Sequence, residues 1–144
     1  LRVLVPIDGS RHSAEAVDIA IDYAKSKAIE VFLLSVAPST VDMDIALTDA
    51  QKTEISAGLL KGSEALLEET RAYMETQNVS PECVLKVTAN SVAEEILDFA
   101  EKESIDLVVV GSRGLREYGR FPLGSVATEV VRYCPCSVFV VRIP

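Results

Sequence analysis

The sequence predicts an α/β fold in which an open parallel sheet of five strands carries helices on both faces. Three observations lead there. Short β-branched runs recur along all 144 residues, at Arg2–Ile7, Glu30–Val36, Glu82–Val87, Asp106–Val110 and Ser137–Arg142. The stretches between them place apolar residues at helical spacing. Hydroxyl residues that cap helices stand at several of the junctions. Strands that alternate with helices need crossover connections, which make the strands parallel and leave few right-handed arrangements.

Each element has its own reason. Arg2–Ile7 is apolar and β-branched, as a strand buried on both faces requires. Ser10 is placed to cap a helix whose apolar side is Ala14, Val17, Ile21 and Ala24. Glu30–Val36 is a second buried strand, and the polar, acidic stretch 38–49 reads as a loop. Thr48-Asp-Ala-Gln51 has the form of a capping box and opens a long helix to about Gln77, with Ile55, Leu59, Leu66 and Tyr73 as its expected buried stripe. Gly58 and Gly62 weaken that helix, and close packing against a neighbour is the expected reason for them. Glu82–Val87 is the third strand. Ser91-Val-Ala-Glu94 starts a helix through Lys102 that buries Val92, Ile96 and Phe99. Asp106–Val110 is the fourth strand, 125–133 the fourth helix and Ser137–Arg142 the last strand.

Composition narrows the function classes. The length suits one domain spanning 1–144. The apolar run around Val31 to Ala37 is far shorter than the roughly 20 residues that span a bilayer, and no segment reads as a signal peptide, so the expected location is the cytoplasm. A formal net charge of -8 disfavours nucleic acid and anionic membrane as partners. Inside this acidic chain, 111–125 is locally basic, with Arg113, Arg116 and Arg120 against Glu117. That island suits a small polyanion, with a solvated surface loop as the lesser alternative.

The most informative pattern lies in the same window. Gly111-Ser112-Arg113-Gly114 follows the fourth strand, and after nine residues Gly124-Ser125 opens the fourth helix. Glycine admits phosphate oxygens close to the backbone, and a helix start offers N–H groups and the positive end of its dipole. Gly114 to Gly119 has the glycine spacing of a Walker A loop, but Arg120-Phe121 replaces its lysine and hydroxyl residue. No G-x-G-x-x-G occurs.

The G-x2-G-x9-G-S pattern, with Val3-Leu-Val-Pro-Ile-Asp8-Gly-Ser10 and the strands Asp106–Gly111 and Cys136–Arg142, resembles the ATP-binding branch of the universal stress protein family over nearly the whole chain. The resemblance implies strand order 3-2-1-4-5, with a ligand crevice where the chain reverses between strands one and four. It implies an adenine slot formed by Pro6, Ile7 and the backbone of Val36, beside Val110. It implies a base or ribose contact from Asp8, which on its residue type alone equally caps the following helix. Gly111 would approach the ribose and Gly114 the phosphates, with Gly124, Ser125 and Val126 offering N–H groups and Arg113 facing phosphate or solvent. The implied ligand is ATP, ADP or AMP with Mg or Mn carried on the phosphates. The implied partner is a second copy, a homodimer through Ser137–Arg142. Two departures stand out: Thr88-Ala-Asn-Ser91 lacks the family's frequent glycine, and Ser137 stands where proline commonly follows the cysteine.

The resulting expectation is a nucleotide-loaded stress-response or signalling module. The rival is a slow ATP hydrolase or adenylyl-transferring enzyme of the same architecture, and a scaffold that binds no nucleotide is the third reading. The motif window holds no lysine, and His12, the only histidine, is expected on the surface. Cys83, Cys134 and Cys136 fit no even disulfide framework or zinc spacing; reduced structural thiols are expected, with redox sensing as the alternative.

Overall fold

The computed structural model describes residues 1–41, 44–113 and 123–143. The elements run β1 (Arg2–Ile7), α1 (Arg11–Ser26), β2 (Glu30–Pro38), α2 (Asp49–Thr76), β3 (Glu82–Thr88), α3 (Val92–Lys102), β4 (Leu107–Gly111), α4 (Ser125–Tyr133) and β5 (Ser137–Val141). The sheet has the order β3-β2-β1-β4-β5, and its paired neighbours are all parallel. Fold class and strand order therefore match the sequence expectation.

Alternation along the strands divides the core in two. Val3, Val5 and Ile7 of β1, Val31 and Leu33 of β2 and Val109 of β4 pack beneath α1 and α2, with Ala16, Val17, Ala20, Ile21, Leu67 and Met74. Leu4, Phe32, Leu34, Val108 and Val110 point the other way and meet Ile96, Phe99, Ala100 and Val130 from α3 and α4. A strand buried on both faces must be apolar at every position, which is what the β-branched runs supply.

The helix starts follow their hydroxyls. Ser10 Oγ accepts from Ser13 N, Thr48 Oγ1 from Gln51 N and Ser91 Oγ from Glu94 N. The Thr48–Gln51 capping box is complete, because Gln51 Oε1 also accepts from Thr48 N.

The buried side of α2 differs from the expected stripe. Leu67 and Met74 are buried and Leu66 is partly so, whereas Ile55, Leu59 and Tyr73 are exposed. The reason is length. Twenty-eight residues at about 1.5 Å each make a helix of about 42 Å, longer than any strand beneath it. The N-terminal half is held instead by the segment after β2, where Thr40 N donates to Ser56 Oγ (2.8 Å) and Thr40 Oγ1 to Lys52 O (2.9 Å). Among the described residues the packing expected at Gly58 and Gly62 is not seen: a Cβ built on either meets no atom beyond its own turn of helix within 4 Å.

Candidate functional site

The pairing register creates an opening at the centre of the sheet. β1 pairs with β2 from Arg2–Glu30 through Ile7–Ser35, but with β4 at Val3–Leu107 and Leu4–Val108. Beyond that short seam a cleft of about 280 Å³ opens at the carboxyl ends of the strands. Its position is the topological switch, since β2 and β3 lie to one side of β1 while β4 and β5 lie to the other.

The described residues named from sequence come together here. Pro6, Ile7 and Asp8 line the cleft from the end of β1, Val36 from β2, and Val110, Gly111 and Arg113 from β4 and its turn. Gly124, Ser125 and Val126 line it from the start of α4. Gly114 lies outside the described residues, as do Arg116 and Arg120. Ser13, Leu34, Val92, Ile96 and Ala127 also line the cleft and were not named as site residues from sequence. Leu34 sits two residues before Val36 on the same strand face, so period-2 spacing carried that signal. Ile96 and Val92 follow from Ser91 as the start of α3, one helical turn apart.

Asp8 has a local task. Its Oδ1 accepts from Ser10 N (2.9 Å), which closes the turn between β1 and α1, while Gly9 takes a φ of +86°. Ser10, not Asp8, is the N-cap of α1. The Asp8 carboxylate remains exposed at the cleft wall. Ser13 completes the corner: its Oγ donates to Ser10 O and accepts from Asp8 N.

Gly111 is held by packing. A Cβ at this residue would lie 2.6 Å from His12 Cβ, 3.0 Å from the His12 backbone carbon and 3.1 Å from Arg113 O. His12 is 5% exposed, which corrects the expectation of a surface histidine. It continues the inward stripe of α1 at four-residue spacing through Ala16 and Ala20, so its helix phase overrides its polarity.

The start of α4 is unlike the other helix starts. Gly124 is its N-cap and provides no side-chain cap, whereas Ser10, Thr48 and Ser91 cap the other three helices. Gly124 N donates to Ser112 O (2.7 Å), and Ser112 N donates to Val141 O (2.7 Å). These bonds fix the first turn of α4 against the end of β4. Thr128 returns both its N–H and its hydroxyl to Gly124 O, so the turn is closed from inside the helix. The N–H groups of such a first turn face outward along the axis and favour an anion.

A second cavity of about 290 Å³ lies between α1 and α2, on the opposite face of the sheet. Asp18 and Glu69 line it, and Tyr73 OH donates to Asp18 Oδ1 (2.6 Å). That hydrogen bond, with the charges of Asp18, Asp22 and Glu15, holds the Tyr73 hydroxyl above its usual pKa. The acidic wall opposes phosphate, so of these two cavities the first suits a polyanion. Among the described residues there is no cluster of three or more His, Cys, Asp or Glu able to hold a metal ion. Among the described residues no helix is long and apolar enough to cross a membrane.

A family model described as the universal stress protein family matches residues 1–142. The chain belongs to that family. It is 36% identical to universal stress protein MJ0531 of Methanocaldococcus jannaschii, over 99% of this chain and 82% of that protein. It is 32% identical to universal stress protein YxiE of Bacillus subtilis, over 98% of both. Among solved structures, universal stress protein UspA from Lactobacillus plantarum superposes with a TM-score of 0.83 at 25% identity, covering 98% of this chain and 97% of that one. Three more distant structures share the fold and were solved with adenine nucleotides. One is a universal stress protein in complex with cAMP (22% identity, TM-score 0.70, covering 99% and 97%). Another, from Archaeoglobus fulgidus, is in complex with dAMP (18%, 0.64, covering 98% and 97%). The third, from Arabidopsis thaliana, has AMP bound (18%, 0.68, covering 99% and 92%).

Proposed function

We propose that this universal stress protein binds ATP in the cleft between β1 and β4 and acts as a nucleotide-loaded stress-response module. The observation that carries the proposal is the start of α4, which has no side-chain cap and opens into a mostly apolar cleft. Pro6, Leu34, Val36, Val92 and Ile96 give that cleft an apolar wall suited to a purine ring. Its volume of about 280 Å³ lies just below the usual range for ligand pockets, which starts at about 300 Å³. The base and ribose then sit inside, and the phosphates extend over Gly124, Ser125 and Val126. Asp8 faces the base or ribose from one side, and Arg113 stands on the phosphate side. ADP and AMP fit the same slot, and the relatives with cAMP, dAMP and AMP support an adenine ligand. A Mg or Mn ion bound through the phosphates would spread their charge without a protein metal cage.

A binding module is favoured over a hydrolase by the histidine. His12 packs beneath the Gly111 turn and does not line the cleft, so it is not placed to activate a nucleophile there.

The phosphate site is tested by Gly124→Asp. The Gly124 backbone, at φ -73° and ψ 173°, suits any residue, and aspartate is a favoured N-cap. The new carboxylate would occupy the N–H groups itself and repel phosphate, while the fold persists. Ligand at 100 times its Kd stabilises the native state by about 2.7 kcal/mol. In a chain of this size that is roughly 5–10 °C in Tm. Wild type should show this shift with Mg-ATP, and folded Gly124→Asp almost none. A wild type with no shift and no calorimetric binding overturns the ATP reading in favour of a scaffold.

The homodimer belongs to the same proposal. β5 pairs with β4 along one edge and is the last strand of the sheet on its other side. Phe139 is 38% exposed there, with its ring edge-to-face against Tyr23. An uncovered apolar edge invites pairing, and a twofold axis lets one such edge cover its copy. Light scattering at high micromolar concentration should give a dimer, and Phe139→Pro should lower that association by removing a backbone donor. A monomeric wild type would reject the dimer.

A further inference from the structure

We propose that Cys134 and Cys136 form a redox-active dithiol that reacts with a peroxide-class oxidant and closes to an intrachain disulfide. The site lies apart from the nucleotide cleft, at the far end of α4, and does not depend on the ATP reading.

The two sulfurs stand 3.5 Å apart, in contact and hydrogen-bonded. A disulfide needs about 2.05 Å, so closure asks for a movement of about 1.5 Å. The backbone that carries them is anchored on both sides. Cys134 is the C-cap of α4, and its N–H donates to Val130 O (2.9 Å). Its ψ of 133° is the extended conformation that a following proline imposes, and Pro135 has its φ fixed by its ring. Cys136 leads directly into β5, whose Ser137 is in register with Leu107 of β4. Both side chains are half-buried against the α3–α4 side of the core. Cys83 makes the contrast: it is an exposed thiol on β3, the opposite edge strand of the sheet.

The chemistry divides between the two sulfurs. Burial pushes the Cys136 thiol up to about 12, and the two sulfurs share one hydrogen bond. The cycle balances with Cys134 as the attacking sulfur. Its thiolate attacks one peroxide oxygen, the O–O bond breaks, and Cys134 sulfenic acid and hydroxide form. That hydroxide takes the Cys136 proton and becomes water. The Cys136 sulfur attacks the sulfenic sulfur, the S–S bond forms, and a second hydroxide leaves, regaining the proton Cys134 first gave up. Two thiols and one hydrogen peroxide yield one disulfide and two waters.

The test uses the whole chain as Cys83→Ser, so that only these two thiols remain. Hydrogen peroxide is added, free thiols are then alkylated, and intact mass is read with and without dithiothreitol. The expected result is a loss of two hydrogens, both thiols protected, and full recovery on reduction. Adding Cys134→Ser or Cys136→Ser should abolish the reversible change. In glutathione redox buffers the native chain should favour the disulfide at least tenfold over the same chain in urea, about 30 mV for a two-electron couple. A native chain that keeps both thiols alkylatable overturns the proposal. So does equal oxidation of the native and unfolded chains, because the fold would then contribute nothing to the site.

Discussion

Two sets of glycines in this chain look alike in sequence and behave oppositely in the fold. Gly58 and Gly62 sit within α2 with open space where a side chain would be. Gly111 sits at the end of β4 with His12 pressed against it, closer than any Cβ tolerates. The first pair costs helix stability with no contact to offset it. The second residue is what lets the N-terminus of α1 approach the β4 turn, and so brings Asp8 and Gly111 to one cleft. Glycine is therefore informative where two backbones converge, and the strand-to-turn junction is where a parallel sheet makes them converge.

The largest effect expected from this contrast is at Gly111. Gly111→Ala places a Cβ against backbone and Cβ atoms of His12, which cannot rotate away. Overpacking of this kind typically costs 1–3 kcal/mol. The upper end is expected here, about 6–12 °C in Tm at about 2–4 °C per kcal/mol. His12→Ala should not rescue it, since the Cβ and the backbone carbon remain. A thermal melt that shows Gly111→Ala as stable as wild type would mean that α1 does not press on this turn.

Gly9 comes next. Its φ of +86° strains any L side chain, although the nearest atoms to a built Cβ, on Leu66, are at an ordinary 3.9 Å. Gly9→Ala should therefore cost about 1–2 kcal/mol through backbone strain alone. Gly9→Asn, which tolerates positive φ, should recover part of that loss in the same denaturation series. Equal stability of the alanine and asparagine variants would show that steric contact, not φ, sets the cost.

The sequence made the frame of the site legible for a physical reason. Parallel strands end on one side of the sheet, so Asp8 and Gly111 were bound to share that side once Arg2–Ile7 and Asp106–Val110 were recognised as strands. Hydroxyls at positions 10, 48 and 91 announced their helices because an N-cap is a local interaction. What stayed hidden depends on how elements lie against each other. The buried side of α2 is Leu67 and Met74, because only the second half of the helix overlies the sheet. His12 was misplaced because a polar residue in a first turn reads as solvated, whereas its phase with Ala16 and Ala20 carries it inward. Ser13 escaped notice because its hydroxyl works within the corner, between Asp8 N and Ser10 O. Whether Asp8 touches a ligand is also beyond local reading, since one carboxylate can close the Ser10 turn and face the cleft together.

The smallest effect tests the other side of the contrast and has the opposite sign. An interior helix glycine is about 0.8–1 kcal/mol less favourable than alanine, because its backbone loses more freedom on folding. At Gly58 and Gly62 a methyl meets nothing within 4 Å, so no steric term opposes that gain. Gly58→Ala and Gly62→Ala should each raise Tm by about 2–4 °C. The double variant should raise it by nearly the sum, because two alanines one turn apart add no new clash. The measurement also reports on what lies over this face in solution. If either alanine lowers Tm at high protein concentration but raises it at low concentration, another chain packs against the glycines. The open space around them would then be an interface, and the contrast with Gly111 would be one of partner rather than of purpose.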